Sequence, residues 1–243
     1  MIEYKGKLII FTPFYNYQTV SPYARSLCQT AIVLMKMGID FDYWEIEGGF
    51  HVEVAINEAL TRFSESDATD FLMIESDESW NPVSVVDSLL HVDPIVAGTY
   101  RMKNGKLDYI GDYNRDNKGR LLGKTVEKGR FLLEAFRVPA GFLRIKKEVV
   151  LKYIETYPDS YFWLNNKKVY PFFFNEIIDH TFTGMDLCLS DKLRELGYQI
   201  WVDPMFEIDH WGMAKFTGNF DKYLKELKDK EKQEKKLKKF WKR

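Results

Sequence analysis

The most constraining stretch of this chain is Phe71-Leu72-Met73-Ile74-Glu75-Ser76-Asp77-Glu78, where an unbroken apolar run gives way to three carboxylates within four residues. Apolar residues at every position, rather than at alternate ones, fit a strand buried on both faces. Such strands belong to mostly parallel sheets covered by helices on both sides. Carboxylates at the C-terminal edge of that strand stand where open α/β sheets bind their ligands. Glu75 and Asp77 are two residues apart, so an extended backbone points both to one side, where they can share a divalent cation.

The flanking sequence supplies the rest of such a sheet. Lys7-Leu8-Ile9-Ile10-Phe11 predicts a first strand, ended by a turn at Thr12-Pro13. Ala24, Leu27, Cys28, Ala31, Ile32 and Met35 repeat at helical spacing between Pro22 and Lys36, and Gly38 stops the helix. A strand over 41–47, a helix over 51–64, the acidic strand, a helix over 82–91 and a strand over 94–100 follow. Four strands separated by helices in about a hundred residues predict right-handed parallel crossovers, a Rossmann-like half. The second half is mixed. Residues 103–130, rich in Lys, Gly, Asp and Asn, predict hairpins or a mobile flap. Strands over 131–138 and 142–145 flank the turn Pro139-Ala140-Gly141, and helices over 147–157 and 185–196, a strand over 198–202 and the segment 205–210 complete the globular part. The aromatics of 161–174 read as core or rim packing.

At 243 residues the chain has room for one large α/β domain with an appendage. Cys28 and Cys188, far apart and without paired spacing, read as reduced thiols rather than zinc ligands. No apolar run approaches the roughly 20 residues that span a bilayer. Met1-Ile2-Glu3-Tyr4-Lys5 lacks the pattern of a signal peptide, so a cytoplasmic protein is expected. Neither the dinucleotide-binding nor the P-loop glycine pattern occurs, and the Gly-x-Ser-x-Gly elbow of serine hydrolases is missing. From 221 to 243 ten Lys and one Arg face five acids, whereas 1–220 carries 24 basic against 31 acidic residues. The sequence therefore divides into a globular domain over 1–220 and a basic tail over 221–243. Leu224, Leu227, Leu237, Phe240 and Trp241 give that tail a thin apolar helical stripe, suited to solvent, an anionic membrane surface or nucleic acid.

In their order, these segments resemble the glycosyltransferases of GT-A fold, especially the family 2-like enzymes of phages and large viruses. The resemblance covers about residues 7–212 and runs through Thr12-Pro13, Asn57, Glu75-Ser76-Asp77, Ser79-Trp80-Asn81-Pro82, Gly98-Thr99-Tyr100, Gly141-Phe142-Leu143, Gly184-Met185-Asp186-Leu187-Cys188, Leu196 to Pro204 and His210-Trp211-Gly212. The chain departs from the family in having Glu75 where Asp-x-Asp is usual and Met185 where a Glu precedes the Asp.

The resemblance implies a GT-A fold and transfer of a sugar from a nucleotide-sugar donor (UDP, GDP or similar) with inversion. The acceptor would be a glycan, a glycoprotein, a lipid-linked saccharide or a modified DNA base. Asp77 becomes the direct metal ligand, Glu75 a second ligand or ribose contact, and His210 the ligand from the far end of the chain, a donor set suited to Mn²⁺ or Mg²⁺. Asp186 is the expected base, although a carboxylate at a helix N-terminus is stabilised as the anion. Thr12, Pro13, Tyr15, Asn57 and Ser76 are the expected nucleotide contacts. Arg101, Lys103 and Trp211 are candidates for phosphate or acceptor. Two alternatives remain at this stage: a nucleotidyltransferase of sugar phosphates and a non-catalytic nucleotide-sugar-binding protein.

Overall fold

The structure, a computed structural model, describes residues 4–14, 17–47, 51–104, 106, 108–126, 129–212 and 215–240. In chain order the first half contains β1 (Lys7–Phe14), α1 (Ser21–Met37), β2 (Asp40–Glu47), α2 (Val52–Glu65), β3 (Asp70–Ile74), β4 (Glu78–Trp80), α3 (Pro82–Leu90) and β5 (Ile95–Ala97). The middle adds β6 (Asp112–Tyr113), β7 (Gly123–Thr125), β8 (Phe131–Arg137), β9 (Phe142–Lys146), α4 (Lys147–Thr156), β10 (Phe162–Leu164) and β11 (Lys167–Val169). The last part holds β12 (Glu176–Ile178), β13 (Thr181–Thr183), α5 (Met185–Glu195), β14 (Ile200–Val202), β15 (Ile208–Trp211), β16 (Lys215–Phe216) and α6 (Phe220–Phe240).

The central sheet runs β2-β1-β3-β9-β5-β14-β8-β6, with β7 also on β8. It is large and mostly parallel in direction, flanked by helices, with a mixed second half. β2, β1 and β3 are parallel neighbours, and β5 pairs parallel with β14. Antiparallel β9 lies between β3 and β5 and joins the two parallel groups. Every residue of β3 is buried. One core lies on each face: Phe11, Phe71 and Met73 join Ile56, Leu60 and Phe63 of α2 on one side. Leu8, Ile10, Leu72 and Ile74 join Tyr23 and Leu34 of α1 and Val85 and Leu89 of α3 on the other. A second, three-stranded sheet, β16-β15-β4, is built from residues more than a hundred apart in sequence.

Three local expectations are revised. The first strand does not turn at Thr12-Pro13 but continues to Phe14. Its pairing with β3 ends at Phe11, so Pro13 has only β2 beside it, and a missing N–H is tolerated where one side of the ladder is open. Helix α1 buries Tyr23, Ser26, Thr30 and Leu34, while Ile32 and Met35 are 47% and 63% exposed. The cause is Trp80, whose backbone and indole N–H groups donate to the Ser26 and Thr30 hydroxyls at 3.0 and 2.9 Å, and buried donors need such acceptors. Segment 103–130 does form hairpins, yet it also contributes Tyr109 to the core and β6 and β7 to the sheet edge.

Helix α6 begins at Phe220, and its first turns are not solvated: Phe220 and Leu224 are buried, Phe220 against Tyr109 and Tyr113 at ring distances of 4.8 and 5.5 Å. Trp241 lies outside the described residues. Among the described residues no helix is long and apolar enough to cross a membrane.

Candidate functional site

The backbone leaves β3 at Ile74 and turns at once into β4, which places Glu75, Ser76 and Asp77 in the bend between two strands. The bend is fixed on three sides. The Glu75 N–H donates to the Gly141 carbonyl at 3.0 Å, the Ser76 carbonyl accepts from Val20 N–H at 3.3 Å and from the Thr19 hydroxyl, and the Asp77 carbonyl accepts from Trp211 N–H at 2.8 Å. Antiparallel pairing of β4 with β15 sets His210 opposite Glu78, which carries the imidazole to the carboxylates from 133 positions beyond Asp77.

Ligand atoms of Glu75, Asp77 and His210 lie within 4.8 Å of one another, and His210 Nε2 is 3.7 Å from an Asp77 oxygen. His210 Nδ1 is 3.0 Å from the Arg101 carbonyl. A carbonyl can only accept, so the proton sits on Nδ1 and the Nε2 lone pair faces the carboxylates, the arrangement a metal-binding histidine requires. Burial holds His210 below its ordinary pKa, aided by the nearby Lys103 charge and opposed by the hydrogen bond to the Arg101 carbonyl and by the Asp77 charge. Two carboxylates and a neutral imidazole suit Mn²⁺ or Mg²⁺. The Lys103 ammonium is paired with the other Asp77 oxygen, so the site already holds a cationic group there.

Asp186 is in the first turn of α5, and its Oδ2 accepts from Ala140 N–H at 3.2 Å. Ala140 and Gly141 form one turn between β8 and β9, so this turn ties the helix of Asp186 to the strand end of Glu75. The other Asp186 oxygen is buried and makes no hydrogen bond among the described residues. A helix N-terminus alone favours the anion. The outcome is the reverse: burial raises the Asp186 pKa, and the Ala140 N–H offsets it only in part. Glu75 is pushed up to about 8, first by burial and then by the charges of Asp186 and Asp77.

Two groups absent from the expected site lie beneath it. Glu78 is fully buried, neither of its oxygens makes a hydrogen bond of ordinary geometry among the described residues, and burial with the neighbouring Glu75 and Asp77 charges raises it well above the usual carboxylate range. Tyr100, also buried, sits edge-on to His210 with ring centroids 4.7 Å apart, and its hydroxyl is raised by burial and then by the charges of Glu75, Glu78 and Asp186. Gly141 belongs here because a side chain would collide with the Glu78 carboxyl and the Tyr100 hydroxyl. The sequence did carry a signal for each: Glu78 is the third carboxylate of the acidic strand end, and Tyr100 closes Gly98-Thr99-Tyr100.

The other expected contacts are distributed unevenly. Arg101 and Trp211 are at the site as its frame: Arg101 also reaches the Lys106 and Thr217 carbonyls, and the Trp211 indole donates to the Ser79 hydroxyl at 2.8 Å. Thr12 and Pro13 are buried in β1, and the Thr12 hydroxyl joins a chain through Tyr23 to Tyr43 at 2.5 and 3.3 Å. Asn57 is 2% exposed and clamps the backbone of Phe173, its amide donating and its oxygen accepting at 2.7 Å each. Both ends of that side chain are engaged, so it braces the aromatic segment rather than facing a nucleotide. Tyr15 lies outside the described residues.

No protein-family model matches the chain, and no curated protein matches it in sequence. Solved structures do show a similar general fold. GalNAc-T7 with UDP, GalNAc and Mn²⁺ is 10% identical over 84% of this chain and 43% of that chain, with a TM-score of 0.48. The catalytic domain of Drosophila beta1,4galactosyltransferase 7 in complex with xylobiose is 11% identical over 82% of this chain and 65% of that one, at 0.46. The inositol-1-phosphate CTP transferase from T. maritima is 12% identical over 83% and 86%, at 0.39. The chain spans less than two thirds of the first two proteins' length. At TM-scores below one half the overlap is one of general outline, and the chemistry of the site rests on its own residues.

Proposed function

We propose that the chain is a metal-dependent glycosyltransferase of GT-A type that moves a sugar from a nucleotide-sugar donor, carrying UDP, GDP or a similar diphosphate, to an acceptor hydroxyl with inversion. Within that type the order of its motifs points to the family 2-like enzymes of phages and large viruses. One observation carries the reading: a buried carboxyl of raised pKa with an unpartnered oxygen, Asp186, is tied through one turn to a cluster of two carboxylates and a correctly oriented imidazole.

Glu75, Asp77 and His210 would hold the cation. Bound there, Mn²⁺ or Mg²⁺ would stabilise the charge on the departing diphosphate. The rest falls to the chain. Asp186 accepts the proton of the acceptor hydroxyl, the acceptor oxygen forms its bond to the anomeric carbon, and the bond to the diphosphate oxygen breaks with its electron pair. A base whose pKa is raised toward neutrality is better matched to that proton than an ordinary carboxylate. Tyr100 and Glu78 keep water from the underside of the cluster, and the Arg101 carbonyl maintains the His210 tautomer. Lys103, released from Asp77, is placed to meet the diphosphate. The acceptor is a glycan, glycoprotein, lipid-linked saccharide or modified DNA base.

A thermal-shift screen of UDP, GDP, CDP, ADP and dTDP with and without Mn²⁺ tests this. One nucleotide should raise the melting temperature only with metal, and Asp77→Ala should abolish the shift. Stabilisation without metal, or equally in Asp77→Ala, would remove the donor site. Metal-dependent binding without turnover of the matching nucleotide sugars would leave a binding protein in place of an enzyme.

A further inference from the structure

Away from the acidic cluster, a groove of about 550 Å³ runs between α6 and the edge formed by the 115–123 hairpin and the start of β8. Its wall is anchored at one end by buried Phe220 and Leu224, and the middle of α6 is tied across the groove by Arg115 and Glu231 at 3.6 Å. Five cations, Arg115, Arg120, Lys228, Lys232 and Lys235, line it against two acids, Asp116 and Glu231. Both acids are engaged within the groove, Asp116 by Arg120 and Glu231 by Arg115. Lys228 and Lys235 have no partner among the described residues. Beneath these charges the lining is aliphatic and aromatic: Leu121, Leu122, Leu227 and Phe131, with Leu122 and Phe131 37% and 40% exposed.

We infer that this groove binds an anionic lipid at a membrane surface, with the phosphate of its headgroup on Lys228 and Lys235 and the adjoining hydrocarbon on Leu122, Leu227 and Phe131. Charge selects the ligand's sign, and the lining selects its body. A cationic edge above exposed apolar side chains matches an amphiphile carrying both features at that spacing. Nucleic acid satisfies only the first, because single strands seek aromatic faces for stacking and the groove offers one, Phe131. A second copy of the chain is disfavoured, since two such grooves would bring like charges together. The groove's size is that of a ligand pocket for part of one lipid rather than a flat adsorption face. This inference stands apart from the donor site and survives or fails without it.

The test is co-sedimentation of the full-length protein with phosphatidylcholine vesicles and with vesicles also containing phosphatidylglycerol, at one fixed salt concentration. The protein should sediment with the anionic vesicles only. Lys228→Ala with Lys235→Ala should weaken that binding about thirtyfold, the loss of two lysines near a charged surface. Leu122→Asn, which removes apolar surface without adding charge, should weaken it too while leaving any binding to duplex DNA unchanged. These side chains are exposed, and a thermal unfolding transition unchanged from the parent should persist in each variant as a control for folding. Failure to sediment with anionic vesicles, a Leu122→Asn protein that binds them as the parent does, or tighter binding to duplex DNA than to vesicles would each overturn the inference.

Discussion

Strand β3 has an acid at each end, and the two ends solve opposite problems. At its start Asp70 is buried with company: it accepts from the Tyr4 hydroxyl at 2.7 Å and the Thr69 hydroxyl at 2.8 Å, and buried Arg144 lies 3.6 Å away. Arg144 in turn donates to the Ser88 and His91 carbonyls at 3.1 and 2.9 Å. Just past the other end, Glu75, Glu78 and Asp186 are enclosed with one another; among the described residues one Asp186 oxygen has no donor, and the Glu78 carboxyl has only the Tyr100 hydroxyl near it. The same chemical group is therefore a satisfied structural member at one end and an unmet demand for a cation or proton at the other. Burial without partners costs a fold about 1–3 kcal/mol or more per polar group, so its concentration at one strand end marks a place kept for a ligand.

The comparison can be broken most forcefully by taking one acid from each end. Asp186→Asn should lower turnover by about 10²–10⁴-fold while leaving metal-dependent nucleotide binding in place, measured as initial rates beside thermal shifts. Asp70→Ala should act on stability instead. It leaves Arg144 buried without its counter-charge, an expected loss of about 3–5 kcal/mol in urea unfolding. Glu78→Gln replaces a buried carboxyl, raised well above the usual carboxylate range, with an uncharged amide of the same shape, so its cost should stay below about 1 kcal/mol. Equal losses from Asp70→Ala and Glu78→Gln would erase the distinction between the two ends.

Acidity sharpens it next. Glu75 holds its proton to about pH 8 in the folded protein, against 4.5 for an ordinary glutamate, so the folded state binds the extra proton in that window. Stability without metal should therefore fall as pH rises between those two values and level off beyond them. Metal must displace that proton, so Mn²⁺ affinity should rise with pH across the same window, and Glu75→Gln should flatten the unfolding profile. A metal-free melting temperature that climbs through this range would contradict the assignment. The smallest effect belongs to Lys103→Ala, which removes the ammonium competing for Asp77. Because that pair is partly exposed, Mn²⁺ affinity by titration calorimetry should tighten by no more than about fivefold.

Much of this was written locally in the sequence. The apolar run of β3, the Glu75/Asp77 spacing and the helices around them follow from periodicity, and α1 and α2 lie where their patterns end. What stayed illegible depends on distant partners. Strand β4 is three residues long and carries no strand pattern of its own; it exists because 208–210 pairs with it. The inward turn of Ser26 and Thr30 answers to Trp80, and the employment of Asn57 answers to Phe173, 116 residues away. The pKa of Asp186 went opposite to what its place in a helix implies because enclosure outweighs one helix end, and enclosure is not a property of any short segment.

The pairing of β4 with β15 has a consequence for how the protein comes into being. A nascent chain shows its carboxylate pair early, but the imidazole that completes the trio is translated 133 residues after Asp77, near the end of the domain. Until then the strand end is an acidic loop without its third donor. On the proposed reading, cation binding at this site would be a late event in biosynthesis, and a chain cut short before residue 208 would keep every strand of the central sheet while lacking His210.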